Sequence, residues 1–169
     1  MTHYPIARYR FTLMVESPLR QPDYAGSMLR GAFGSALRQI ACMTRQADCP
    51  GCPLLRSCPF TTLFAPPPPP PRPGRQTLSQ APAAYVIEPP PWGARVLEAG
   101  DTLSFDMVLF GHALRQLPLI VYAWQRAAER GIGHGRARLH ALTLLDPQHG
   151  PQTALHEHGE LAAPPAVCG

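Results

Sequence analysis

The sequence predicts an α+β domain of the ferredoxin-like class, in which two helices cover one face of a four-stranded antiparallel sheet. Four segments show the apolar alternation of a strand and two show helical periodicity. They follow one another as strand, helix, strand, strand, helix, strand. A chain of 169 residues is long enough for one such domain with a real core and a tail. We therefore expect the domain at residues 1–146 and a flexible tail at 147–169.

The first strand and the first helix are predicted near the N-terminus. Every second residue of IARYRFTLMVES is apolar, as in a strand with one buried face, namely Ala7, Tyr9, Phe11, Leu13 and Val15. After two prolines, AGSMLRGAFGSALRQIACM has apolar residues at helical spacing, namely Leu29, Phe33, Leu37 and Ile40. Gly31 and Gly34 lower the helix propensity of this segment, so we expect a packing or binding reason for them.

Two further strands follow a proline-rich connector. Residues 65–75, APPPPPPRPGR, exclude a helix or an inner strand and predict an extended polyproline connector that acts as a stiff spacer. The segment AAYVIEPPP then predicts a short strand. In RVLEAGDTLSFDMVLFG, a turn at 99–101 precedes a longer strand with alternating apolar residues, namely Leu103, Phe105, Met107 and Leu109.

The second helix and the last strand complete the βαββαβ order. In HALRQLPLIVYAWQRAAERG, the helical periodicity, Pro118 in the first turn and Gly131 at the end predict a helix over 118–130. A glycine-rich turn, GIGHGRARL, leads into the last strand. We expect one face of this strand to carry Ala137, Leu139, Ala141, Thr143 and Leu145.

The positive charge of the chain is concentrated in its first half. All fifteen cationic side chains are arginines and the formal net charge is +4. Residues 1–75 carry nine arginines against three acids, a balance of +6, and the remainder carries six against eight, a balance of −2. The planar guanidinium group suits phosphate and stacks on bases. The basic half is therefore the expected face for a polyanion.

No segment has the character of a membrane span or a secretory signal. The longest strongly apolar run, LPLIVYAW, is far too short to cross a bilayer, and the N-terminal segment has arginines where a secretory signal would be apolar. We expect a cytoplasmic protein with no membrane partner.

Four cysteines lie within CMTRQADCPGCPLLRSCPF at the spacing C-x6-C-x2-C-x5-C. In a reducing cytosol, clustered cysteines are more often metal ligands than disulfides. We expect an insertion at 42–58, after the first helix, that binds one structural zinc ion through Cys42, Cys49, Cys52 and Cys58. An iron–sulfur cluster and two disulfides are the alternatives. Four protein ligands leave no open position, so such a metal would not be the catalyst.

Five motifs occur in order between about residues 6 and 145: MLRGAFGSALRQIAC, CPGCPLLRSCPFTTLF, YVIEPPP, GDTLSFDMVLFGHALRQLPLIVYAW and GIGHGRARL. Together they resemble the N-terminal half of CRISPR-associated RAMP proteins, specifically the pre-crRNA-processing endoribonucleases. The resemblance implies a ferredoxin-like domain that binds CRISPR repeat RNA or crRNA in antiviral defence, with a second ferredoxin-like domain or other Cas subunits as partners. It implies no DNA partner.

The resemblance also implies a metal-independent endoribonuclease, in which the 2′-hydroxyl beside the scissile phosphate attacks. Such chemistry needs an acid, a base and a cation for the charge that develops on phosphorus. The sequence departs from the family in two ways: the second ferredoxin-like domain is absent, and the first helix has no histidine. His134 in the glycine turn and His112 before the second helix are the remaining candidates for acid or base, because imidazole titrates near neutrality.

The candidate RNA contacts are arginines of the first helix, the cysteine segment, the connector and the glycine turn. They are Arg30, Arg38, Arg45, Arg56, Arg72, Arg75, Arg136 and Arg138. Three aromatic residues are candidates for stacking on unpaired bases, namely Tyr9, Phe60 and Trp92.

Three functions are therefore considered. The first is binding and cleavage of CRISPR repeat RNA. The second is a non-catalytic crRNA-holding or scaffold subunit of a CRISPR effector complex, which the missing histidine and the missing second domain favour. The third is a zinc-ribbon-bearing interaction domain unrelated to RNA, which predicts no salt-sensitive binding to repeat RNA.

Overall fold

The structure is a computed structural model and describes residues 4–76, 79–146, 150–157 and 160–161. Its elements, in chain order, are β1 (Ile6–Val15), β2 (Leu19–Gln21), α1 (Gly26–Ala41), α2 (Pro59–Phe64), β3 (Tyr85–Glu88), β4 (Arg95–Leu97), β5 (Thr102–Phe110), a 3-10 helix (Gly111–Gln116), α3 (Leu117–Arg130), β6 (Ala137–Asp146), β7 (Gly150–Glu157) and β8 (Glu160–Leu161). No helix among these residues has the length and apolar character needed to span a membrane.

The main sheet has the strand order β3-β5-β1-β6-β7-β8, and its neighbouring strands are antiparallel. Helix α1 follows β1 and helix α3 precedes β6. The first four strands of this order, with α1 and α3, form the βαββαβ arrangement of the ferredoxin-like class. The predicted α+β fold class is confirmed.

An aromatic cluster joins both helices to the sheet. Trp124 of α3 is fully buried, and its ring lies 4.4 Å from Phe105 of β5, 5.9 Å from Phe11 of β1 and 5.1 Å from Phe33 of α1, between ring centroids. The indole N–H donates to the sulfur of Met107 at 3.0 Å, so the one polar atom of the ring is satisfied. The alternating apolar residues predicted for β1 and β5 are the buried ones.

The opposite face of the sheet is open and its charges are paired. Arg8 of β1 lies 2.5 Å from Glu88 of β3, and Arg10 donates to both oxygens of Asp106 at 2.8 and 3.1 Å. These hydrogen bonds raise the pKa of both guanidinium groups. The helices and the open face thus define two sides of the domain with different electrostatics.

A bulge in β6 changes which of its residues are buried. The register between β1 and β6 shifts between Thr12 and Leu13, and His140 is the extra residue. Beyond the bulge the alternation reverses, so Leu142 is fully buried while Ala141 is not. The predicted face is right as far as Leu139 and wrong for Ala141, Thr143 and Leu145.

Part of the predicted tail is regular structure. Residues 150–157 form β7, which pairs with β6, and residues 160–161 form β8, which pairs with β7. We expected a flexible tail at 147–169, and these two segments of it form strands. The pairing uses the free backbone edge of β6, and a segment such as GPQTALHE has no strong apolar alternation that would indicate it.

The two glycines of α1 have different surroundings. A Cβ atom added to Gly34 would clash with the ring of Phe64 from α2, whereas a Cβ atom added to Gly31 would have nothing within 4 Å. Phe64 is itself held by rings 5.3 to 6.3 Å away, those of Phe60, Phe33 and Tyr85. Gly34 therefore has the packing reason expected from the sequence, and Gly31 has none among the described residues.

We predict opposite effects for alanine at these positions. Gly31→Ala removes the entropic cost of glycine in a helix and raises the free energy of unfolding by about 0.5–1 kcal/mol. Gly34→Ala displaces Phe64, and overpacking of this kind costs about 1–3 kcal/mol, so this variant is less stable than the wild type. Urea unfolding of both variants checks the prediction. Equal stabilisation by both would show that Phe64 does not pack on Gly34.

Candidate nucleic-acid interface and cysteine loop

Residues 42–58 connect α1 to α2 and form what we call the cysteine loop. Its four cysteines are free thiols and border one small cavity of about 20 Å³. A cavity of this size has room for a single water-sized occupant. Across the described ranges, no three His, Cys, Asp or Glu side chains are grouped as closely as a bound metal ion requires. The loop therefore brings the four predicted ligands to one cavity, but their side chains are not close enough together to coordinate one metal ion as they stand.

A tight turn in the cysteine loop contains two of the four cysteines. The N–H of Cys52 donates to the carbonyl of Cys49 at 3.0 Å, and Gly51 between them has φ +82°, with Pro50 before it. Proline followed by a glycine with positive φ is the signature of a type II turn. This turn places Cys49 and Cys52 side by side.

A bend at residues 43–44 follows Cys42 directly. Arg45 has φ +53°, a left-handed conformation that costs energy in a non-glycine residue. Its backbone N–H donates to the sulfur of Cys42, which lowers the pKa of that thiol, and a hydrogen bond from Thr44 and the charge of Arg38 act in the same direction.

Arg38 of α1 fastens the cysteine loop to the helix. Its guanidinium donates to the carbonyl of Gln46 at 2.8 Å and to the carbonyl of Ala47, and lies 6.0 Å from the centre of the Phe60 ring. This residue was predicted to bind RNA. Its donors to the loop give it a structural role that the sequence did not indicate.

Arg30 of α1 is similarly engaged. It donates to the hydroxyl of Tyr85 at 2.6 Å, and its guanidinium stacks 4.4 Å from the centre of the Phe64 ring. It also borders two open surface cavities, one of about 300 Å³ with Tyr24 and Ser27, and one of about 620 Å³ with Phe64 and the start of the connector. Arg30 therefore lies where a ligand can reach it, although its orientation is set by the protein.

The arginines of the cysteine loop and the connector are exposed and unpaired. Within the described part of the chain, no carboxylate forms an ion pair with any member of this group, which comprises Arg45, Arg56, Arg72 and Arg75. Arg8 and Arg10 of the open sheet face, by contrast, are both in ion pairs with carboxylates. Arg45 and Arg56 belong to the loop between α1 and α2, so their unpaired charge lies beside these two helices.

The glycine turn carries a second, smaller basic group. Arg136 is exposed, its backbone N–H donates to the hydroxyl of Ser17 at 2.8 Å, and its side chain has no carboxylate partner in the described ranges. Arg138 makes a loose ion pair with Glu16 at 3.8 Å. Of the two, Arg136 is the one whose charge is not paired with a described carboxylate.

The two candidate histidines lie in different elements, His112 in the 3-10 helix and His134 in the glycine turn. Nε2 of His112 lies 3.3 Å from the carbonyl oxygen of Thr62 in α2. His134 is exposed, has φ +66° and lies in the turn closed by the bridge between Ile132 and Gly135.

Of the three aromatic residues predicted to stack on bases, only Trp92 is available. Tyr9 is 1% and Phe60 9% exposed, so both belong to the core and that prediction is wrong for them, whereas Trp92 is 79% exposed. Its ring lies 5.3 Å from that of Tyr24, which is also exposed. Tyr24 escaped sequence reasoning because it precedes α1 outside any periodic pattern; its proximity to Trp92 depends on the tertiary fold.

Burial of Tyr85 predicts a stability loss at high pH. Desolvation raises the pKa of this phenol from its ordinary value of 10.0 to about 12, against a smaller opposite effect of Arg30. The folded chain therefore holds the proton more tightly than the unfolded chain, so the stability that this group contributes is complete below pH 10 and is lost as the pH rises towards 12. Urea unfolding across this range should show a shallower loss in Tyr85→Phe than in the wild type.

Tyr122→Phe is the matched control, since Tyr122 is half-exposed on α3. It should keep the pH slope of the wild type. Identical slopes in all three proteins would contradict the assigned role of Tyr85.

Comparisons with known proteins agree with this fold. An uncharacterized protein of Archaeoglobus fulgidus is 23% identical over 111 residues, which are 66% of this chain and 36% of that protein. A chain in the crystal structure of the Csm3-Csm4 subcomplex of the type III-A CRISPR-Cas interference complex matches with a TM-score of 0.53 at 12% identity, covering 90% of this chain and 83% of that one. This match shows that the two chains share a fold. Residues 4–166 match the family described as AF_1859_N, N-terminal domain, and the chain therefore belongs to that family.

Proposed function

We propose that this domain binds CRISPR repeat RNA, or the crRNA derived from it, on the side of its helices. One observation carries the proposal. Of the eight arginines that the sequence singled out, seven form no ion pair with a described carboxylate, namely Arg30, Arg38, Arg45, Arg56, Arg72, Arg75 and Arg136. The likeness in fold to a chain of a CRISPR-Cas complex supports the choice of RNA.

The distribution of free charge favours a polyanion on this side. An arginine already paired with a carboxylate offers little net potential to a phosphate, and Arg8 and Arg10 of the open face are in that position. Unpaired arginines on the cysteine loop and connector release counterions when they meet phosphates, which drives association. The RNA backbone is therefore expected along the loop and the connector.

Unpaired bases find aromatic and polar groups nearby. The exposed rings of Trp92 and Tyr24 offer faces on which bases stack. Tyr24 also borders the cavity of about 300 Å³ beside Ser27 and Arg30, which supply hydroxyl and guanidinium donors. This arrangement suits single-stranded RNA, whose bases are free to leave the stack.

The geometry supports RNA holding best. Helix α1 has no histidine, whereas unpaired arginines are present on the loop that follows it. In this form the domain acts as a crRNA-holding or scaffold subunit, with other Cas subunits as partners.

Metal-independent cleavage by 2′-hydroxyl attack is the second candidate, and one observation favours it. The exposed imidazole of His134 and the free guanidinium of Arg136 lie two residues apart on one turn. An acid–base group and a cation are the parts that this chemistry needs.

The binding proposal predicts a change in salt dependence. Arg45→Gln combined with Arg56→Gln removes two phosphate contacts, so RNA affinity falls about tenfold or more and the slope of log K against log[salt] becomes shallower by about 2. Fluorescence anisotropy with labelled repeat RNA over a salt series measures both quantities. We prefer these positions to Arg30 and Arg38, whose contacts within the domain would mix stability with binding.

The matched control removes the same charge elsewhere. Arg8→Gln combined with Arg10→Gln takes two arginines of the open face from ion pairs with Glu88 and Asp106, and circular dichroism checks that this variant is folded. It should change the slope much less. Equal effects of the two double variants would mean that RNA responds only to net charge, which contradicts the proposed surface.

A single cleavage assay separates the two candidate functions. The chain is incubated with repeat RNA without added divalent ions, in EDTA at a concentration that leaves its melting temperature unchanged. We expect retarded, uncut RNA. A cut that disappears when the scissile nucleotide carries 2′-deoxyribose would establish the cleavage function instead, and His134→Ala should then slow it about a hundredfold. Absence of both retardation and cleavage would contradict RNA binding.

A further inference from the structure

We propose that the cysteine loop binds one zinc ion through the sulfurs of Cys42, Cys49, Cys52 and Cys58, and that this ion ties the end of α1 to the start of α2. The inference concerns the folding of the loop and does not depend on the proposed RNA function. It follows from where the four residues lie, the size of the cavity between them and the groups around it.

The ligands come in two pairs that the backbone brings together. Cys42 is the residue that ends α1, and Cys58 is the residue that precedes α2. The sulfur of Cys58 lies 4.0 Å from the carbonyl oxygen of Ala41, next to Cys42. The type II turn supplies the other pair, Cys49 and Cys52. All four residues border the same cavity.

The cavity between the four cysteines has room for a single ion. Its volume of about 20 Å³ suits one water-sized body. Each cysteine has one side-chain torsion with three staggered positions, so its sulfur can turn towards the cavity without a change of backbone. Four thiolate donors are the usual set for structural zinc.

The surroundings suit the charge of such a site. One Zn²⁺ with four thiolates carries a formal charge of −2, and thiolates around a metal are stabilised by hydrogen-bond donors. The backbone N–H of Arg45 donates to Cys42, and the hydroxyl of Thr44 lies 3.5 Å from the sulfur of Cys52. Arg38 binds the loop carbonyls and brings a full positive charge to the same end of α1. Asp48 is the carboxylate among the residues that border the cavity.

The ion would join the end of α1 directly to the start of α2. Helix α2 has six residues and is held by Phe60 and Leu63, which are buried, and by Phe64 against Gly34. A loop of seventeen residues with little core of its own gains folding energy from a metal. The aromatic cluster around Trp124 does not involve the loop, so the sheet and the two long helices should remain folded without the ion.

The test measures metal directly. Full-length chain, purified under reducing conditions without added metal, is analysed by elemental mass spectrometry, and the metal-free chain is titrated with Co²⁺. We expect about one zinc per chain and, with one equivalent of Co²⁺, the thiolate-to-cobalt absorption of a tetrahedral site. Cys49→Ser and Cys52→Ser should each reduce zinc affinity at least tenfold and lower the melting temperature.

The fifth cysteine provides the matched control. Cys168→Ser removes a thiol outside the proposed set and should keep the zinc content and melting temperature of the wild type. Circular dichroism shows whether the Cys49 and Cys52 variants remain folded. Full zinc content in those variants, a chain that takes up neither zinc nor Co²⁺, the absorption of an iron–sulfur cluster, or a mass that reveals two disulfides would each overturn the proposal.

Discussion

The contact of Trp124 with Phe11, Phe33 and Phe105 is the interaction on which the rest of the domain depends. It joins α3 to β1, to α1 and to β5 through ring contacts of 4.4 to 5.9 Å, in a core from which water is excluded. Aromatic rings bury much area and prefer defined mutual angles. The cluster therefore holds α1 on the sheet through Phe33, and the cysteine loop begins where that helix ends.

The arginines of the domain differ in whether they form an ion pair, and this depends on the element that carries them. Residues of β1 alternate between the two faces, so Arg8 and Arg10 point away from the core and meet carboxylates of β3 and β5. The cysteine loop and the connector extend from the helix layer, where Arg45 and Arg56 meet no described carboxylate. The cysteine loop thereby carries arginines whose charge is not balanced by a described carboxylate, and a polyanion is attracted to such charge.

The sequence predicted the fold well because periodicity reports burial against a single core. It placed β1, α1, β5 and α3 within a few residues. The prediction failed where contacts between distant residues determine the structure. The bulge at His140 reverses which residues of β6 are buried, and β7 pairs with β6 through backbone hydrogen bonds that no apolar pattern indicates. Periodicity also could not show that Arg30 donates a hydrogen bond to Tyr85, or that Arg38 donates one to a carbonyl of the cysteine loop. Whether RNA binds is a question of surface chemistry, which the fold alone leaves open.

Cross-linking of photoreactive repeat RNA to the chain, followed by mass spectrometry of the linked peptides, tests the central claim most directly. The account predicts links on the helix side, in the cysteine loop at 42–58, in the connector at 65–75 and at Trp92. Links concentrated instead on the strands of the open face, at 6–14 and 102–110, would contradict it.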